Sequence, residues 1–132
     1  AVEELVRNSD IICTTTPSTT PVLPDDKELL RGKCIIAIGS YMPEMREIPD
    51  AVLDLVDNVY IELPYACEES GDLSQPLASG KLTKDRIKLM HEYLVSGEKE
   101  IKEGQTTYFK SVGMGLFDVC IAQKLYEVAK EK

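Results

Sequence analysis

Apolar residues gather along this chain in short runs, and the runs are of two kinds. Residues 11–14 (IICT), 34–38 (CIIAI) and 59–63 (VYIEL) are rich in β-branched side chains and too short for helices. The first two are apolar throughout, the pattern of strands covered on both faces of a parallel sheet. Elsewhere the apolar positions recur at helical spacing. Val2, Leu5 and Val6 predict an amphipathic turn, ended by Asn8, Ser9 and Asp10. In LPDDKELLRGK the aspartates are placed to cap a helical turn and Gly32 to end it. Asp50 is placed to cap a short helix over AVLDLVDN, with Val52, Leu53, Leu55 and Val56 turned inward. The order strand, helix, strand, helix, strand implies right-handed βαβ units. The expected class is α/β, with three layers and a few parallel strands flanked by helices.

The second half reads differently. ACEESGDLSQPLASGK has the composition of a loop. Residues 85–95 predict a helix with Ile87, Met90 and Leu94 on one face and Gly97 after its end. SGEKEIKEGQ reads as a charged connection and TTYFKS as a short strand. From about Gly115 a last helix is expected, with Leu116, Val119, Cys120, Leu125, Val128 and Ala129 as its apolar stripe.

Composition narrows the partners. Apolar residues are 43% and charged residues 29% of 132, as in an ordinary globular domain. The formal charge of -8 argues against nucleic acid, whose binding needs Lys and Arg on phosphates, and against a polybasic membrane contact. No apolar run is long enough for a membrane span and no signal peptide is visible. The four cysteines are scattered without a C-x-x-C, which predicts free thiols in a reducing cytosol, most of them buried. The opening AVEELVRNSD lacks Met and resembles the end of a helix, so a piece of a longer protein is expected.

The candidate chemistry lies after the strands. Ligands of doubly wound sheets bind outside the carboxyl ends of the strands. Thr14-Thr15-Thr16-Pro17-Ser18 and Gly39-Ser40-Tyr41 occupy that position, and hydroxyls with backbone amides suit ribose and phosphate. The plainer reading is that these residues satisfy their own loop backbone. In SVGMGLFD, Gly113 and Gly115 form part of a dinucleotide fingerprint, but Asp118 stands where the third glycine belongs; a turn into a helix reads better. CEESGD gathers Glu68, Glu69 and Asp72, which as loop carboxylates are expected to be solvated. The single histidine, His91, reads as a surface residue. There is no Ser-His-Asp set, no P-loop and no metal signature, so neither a catalytic nor a metal-binding residue is assigned.

Four blocks together, NSDIICTTTPSTTPVL, GKCIIAIGSYMPEMREIP, CEESGDL and TTYFKSVGMGLFDVCIAQKLYE, resemble in order and spacing the carboxyl-terminal half of the ornithine cyclodeaminase and mu-crystallin family. The resemblance implies a Rossmann-type domain that binds NAD or NADP. Residues 1–112 would be its later part, and residues 113–132 a helix returning toward a substrate and dimer domain. It implies cofactor contacts at Thr14, Thr16, Ile38, Gly39, Ser40 and Ser111, and a substrate-facing Glu69. The family's glycine-rich phosphate loop, ribose-binding acid and substrate lysine and arginine would all precede Ala1. A small-molecule substrate, a homodimer at full length and a cytoplasmic setting follow from the same likeness.

The chain departs from the pattern twice. Tyr41 stands where cyclodeaminases carry an acid, and Met42 where mu-crystallin-like members often carry Arg. Three readings stay open. One is an NAD(P)-dependent oxidoreductase acting on an amino acid, imine or keto acid, inactive as this piece alone. The second is a non-catalytic binder of NADP(H) and a small ligand, and the third a folding or association module.

Overall fold

The computed structural model describes residues 1–96 and 101–131. Among them five strands form one sheet: β1 (Ile11–Thr14), β2 (Cys34–Ala37), β3 (Val59–Ile61), β4 (Ile87–Leu89) and β5 (Thr107–Lys110). Their spatial order is β1-β2-β5-β3-β4, and every neighbouring pair is parallel. The helices are α1 (Val2–Arg7), α2 (Lys27–Leu30), α3 (Asp50–Leu55), α4 (Ala66–Glu69), α5 (Gly71–Ser79), α6 (Met90–Ser96) and α7 (Gly115–Lys130).

Side chains alternate across a strand, so the register assigns the faces. Ile12, Ile35, Tyr108 and Val59 form one row, and Thr14, Ala37, Lys110 and Ile61 the next. All eight are buried, and the apolar ones form one core with Val6, Leu30, Val52, Leu53 and Leu73 of the helices. Tyr60 points the other way and meets Tyr93 of α6, with ring centroids 5.2 Å apart. The class is therefore α/β, a parallel sheet flanked by helices. The two-sided burial expected of β1 and β2 does not hold. Ile11 is 65% exposed, Cys13 is exposed, and Cys34 and Ile36 are half-buried. The apolar run meant β-branched pairing, not cover on both faces. The thiols are free as expected, but Cys13 and Cys120 lie on the surface rather than buried. The stripe on α7 is exposed as well, at Leu116, Val119, Leu125 and Val128.

Local signals hold at the first helices. Asp26 Oδ1 accepts from the amides of Glu28 (2.9 Å) and Leu29 (3.3 Å), a cap worth about 1 kcal/mol. Gly32 follows with φ 72°, a left-handed stop. At α3 the expected cap is displaced. Pro49 takes the N-cap position, Asp50 pairs with Arg46, and Asp25 accepts from the Ala51 amide at 2.8 Å instead.

The middle of the chain corrects the sequence reading. Residues 66–79, expected as a loop, hold α4 and α5; Ser70 caps α5 and Gly80, at φ 77°, ends it. The expected helix over 85–95 divides into a 3-10 turn (Lys84–Arg86), β4 and α6. Ile87 and Leu89, two residues apart, pair with β3, and that ladder outweighs the helical spacing of Ile87, Met90 and Leu94. Arg86 secures the junction by donating to the carbonyls of Leu53 and Val56, both at 2.6 Å, near the end of α3. The third strand ends at Ile61, short of the expected Leu63. Gly97 and most of the acidic part of SGEKEIKEGQ lie outside the described residues.

One surface triad gives a pH test. Asp54 sits between Lys27 and Lys81, each at 2.6 Å, and these ammoniums hold its carboxyl below the usual carboxylate value of 3.8. A depressed folded-state pKa gives stability that is present above 3.8 and lost as pH falls through the folded value. Asp54→Asn is expected to flatten that acid-side loss. All three groups are partly exposed, so urea midpoints followed from about pH 7 to about pH 3 should change by no more than ~1 kcal/mol in free energy.

Candidate functional site

Because the strands are parallel and in register, Thr14, Ala37, Lys110, Ile61 and Leu89 all end at one rim. The two hydroxyl-bearing turns lie side by side there. The carbonyl of Thr14 accepts from the amides of Ile38 (2.9 Å) and Gly39 (3.3 Å).

Glu47 joins these turns from beneath and is fully buried. Its Oε2 accepts from the Thr14 hydroxyl at 2.9 Å and the Gly39 amide at 2.8 Å, and its Oε1 from the Thr16 amide at 2.5 Å. Hydrogen bonds to an ionised carboxylate are the strong ones. Gly39 is required by this closeness. A Cβ there would fall well inside 3.0 Å of the Thr16 backbone and 2.6 Å from Glu47 Oε1. The space that glycine opens is thus filled by the neighbouring turn.

Asp72 in turn holds Glu47. Its Oδ1 accepts from the amides of Glu47 (2.7 Å) and Ile48 (2.9 Å). Gly71 lets α5 come this close, since a Cβ there would strike the carbonyls of Met45 and Pro43. Lys110 Nζ lies 3.5 Å from Asp72 Oδ2, both side chains fully buried. Burial pushes the Asp72 carboxyl up, against the Ile48 amide and Lys110, which pull it down. Burial pushes the Lys110 ammonium down, against Asp72 and Glu47. Tyr108, one row below, is raised well above an ordinary phenol by burial and by the Asp72 and Glu47 carboxylates. On the β3 side, Glu62 Oε1 accepts from the Ser111 hydroxyl (2.9 Å) and the amides of Val112 (2.6 Å) and Gly113 (3.2 Å).

The expected site residues divide accordingly. Thr14, Thr16, Ile38, Gly39 and Ser40 come together, and Ser111 shares their rim at the end of β5. The hydroxyls of Thr14 and Ser40 turn inward: Ser40 donates to the Met45 carbonyl and meets the Ser70 hydroxyl at 2.9 Å. Ile38, Tyr41 and Met42 are exposed and Thr16 and Gly39 partly so. Glu69 lies on the exposed side of α4, with no hydrogen bond or ion pair to the rim residues among the described residues. Asp72 is not the solvated carboxylate expected; it is 2% exposed.

Glu47, Glu62 and Lys110 escaped the sequence reading. Lys110 left a trace, since alternation in TYFK puts it on the face of Tyr108. Among the described residues no cluster of His, Cys, Asp and Glu could hold a metal ion, and no helix is long and apolar enough to cross a membrane.

Known proteins share this fold. A Delta(1)-pyrroline-2-carboxylate reductase of Bacillus cereus is 36% identical over all of this chain and 41% of its own length. A probable ornithine cyclodeaminase structure from Bordetella pertussis superposes with a TM-score of 0.81 at 29% identity, over 100% of this chain and 43% of that one. The Delta(1)-pyrroline-2-carboxylate reductase of Thermococcus litoralis, in complex with NADH and L-proline, has the same fold, with a TM-score of 0.81 at 24% identity over 99% and 41%. The chain thus spans about two fifths of the length of these relatives. The model of the ornithine cyclodeaminase/mu-crystallin family matches residues 1–132, and the chain belongs to that family.

Proposed function

We propose that this chain forms the later part of the nucleotide domain of an NAD(P)-dependent reductase acting on an imine of amino-acid type. The observation that carries the reading is the pair of turns Thr14–Ser18 and Ile38–Ser40, locked together at the carboxyl rim of a parallel sheet. Nucleotide cofactors bind there in open α/β sheets. Family membership and the likeness to a pyrroline-carboxylate reductase support the substrate class.

The residues present fit a nicotinamide end. Ile38 and Gly39 offer backbone and an apolar side chain at the surface, and Thr16 is partly exposed beside them, its hydroxyl accepting from the Ser18 amide at 3.4 Å. Ser111 shapes the rim from β5, with its hydroxyl tied to Glu62. The cofactor supplies the hydride when bound; the chain's own part is to hold the ring end in place. Tyr41 is exposed after Ser40 and brings no carboxylate to the substrate amine, which favours reduction over cyclodeamination. Residues 113–132 would lie against the remaining substrate and dimer domain of a cytoplasmic homodimer. The exposed stripe on α7 supports this.

The test is the protein at the length of its relatives, assayed with NADH and NADPH on Delta(1)-pyrroline-2-carboxylate, related cyclic imines and keto acids. Loss of reduced-nicotinamide absorbance is expected with a cyclic imine. Tight cofactor binding without turnover of any substrate would favour a non-catalytic binder, a reading that the exposed Met42 also fits. Absence of cofactor binding would overturn both. The 132-residue chain alone is expected to show no turnover and weak dinucleotide binding.

A further inference from the structure

A cavity of about 430 Å³ lies between α4, α5 and the β3–β4 edge. Its size falls in the range of small-molecule sites, about 300–1,000 Å³. Ile61, Leu77, Ile87 and Leu89 give it an apolar wall. Ile61 and Leu89 are register partners, so the wall is built on the last residues of two parallel strands. Ile61 and Leu89 thus bring it to the β3–β4 end of the same rim, while Thr14, Thr16, Ile38, Gly39, Ser40 and Ser111 do not line it.

Its polar lining is Cys67, Glu68 and Lys84. Burial raises the Cys67 thiol above its ordinary value, while Lys84 pulls it down and Glu68 pushes it up. One ammonium and one carboxylate thus line the cavity together with a single thiol. Both are exposed, and among the described residues neither forms an ion pair. Two unpaired opposite charges beside an apolar wall complement a zwitterion. A simple acid would face Glu68 unpaired, and a simple amine would face Lys84.

We propose that this cavity binds a free α-amino acid with an apolar side chain. Lys84 takes the carboxylate, Glu68 the ammonium, and the side chain packs on Ile61, Leu77 and Leu89. The site does not rest on the nucleotide reading.

Cys67 serves as the reporter. Its alkylation by iodoacetamide is followed by peptide mass spectrometry, with Cys13, Cys34 and Cys120 as internal controls. With a dissociation constant of about 1 mM, about 10 mM L-leucine or L-phenylalanine is expected to slow Cys67 labelling about tenfold and leave the controls unchanged. 4-Methylpentanoate and isoamylamine at the same concentration should not protect. Lys84→Ala and Glu68→Ala should each abolish protection while Cys67 still reacts. The proposal is overturned by absence of protection, by equal protection from the acid or the amine, or by protection that survives both substitutions.

Discussion

Glu47→Ala is expected to lower the unfolding free energy by about 3–5 kcal/mol, because it leaves three donors at the rim without their charged acceptor. The Thr14 hydroxyl and the amides of Thr16 and Gly39 all point at that one carboxylate. It has no exposed surface through which water could replace it. Glu47→Gln should cost less, about 2 kcal/mol, since its amide oxygen still serves one side of the clamp while its NH2 opposes a donor on the other. Urea unfolding followed by circular dichroism reads both. A loss below ~1 kcal/mol for the alanine variant would mean that the two turns hold each other without the acid.

Asp72→Ala is the second large effect, with an expected loss of about 3–5 kcal/mol. It strands the buried Lys110 ammonium and frees the amides of Glu47 and Ile48. Removing both charges is gentler than removing one, because an uncompensated buried charge is the costly state. Asp72→Ala combined with Lys110→Met should therefore be more stable than Asp72→Ala alone, by about 1–2 kcal/mol in a double-mutant cycle. Additive losses would show that Lys110 is stabilised by something other than Asp72.

The sequence carried the frame of this molecule well and its keystones poorly. β1, β2, β5 and the Asp26 cap were legible because each depends on neighbours in the chain. β4 was not: Ile87, Met90 and Leu94 read as one helical face, and Ile87–Leu89 becomes a strand only when β3 lies beside it. α5 was hidden by Gly71 and Pro76, residues that usually mark a turn. The rim was visible as a cluster of hydroxyls after apolar runs, but not the direction those hydroxyls face. Glu47 reads in sequence like any surface acid, and its role comes from partners 31 and 33 residues earlier. Local pattern cannot report a contact at that separation.

β5, the last strand to be made, takes a central place between β2 and β3. Its junction with β2 closes a long loop, from the Gly32 amide to the Thr106 hydroxyl, 74 residues apart. While the chain leaves the ribosome, the β1–β2 pair and the β3–β4 pair each wait with an inner edge bare. They can join only after Lys110 has emerged. Such late, long-range closure slows folding and leaves bare edges open to pairing between nascent chains. Yield of this protein should therefore depend on the pace of translation and on growth temperature more steeply than its finished stability would suggest.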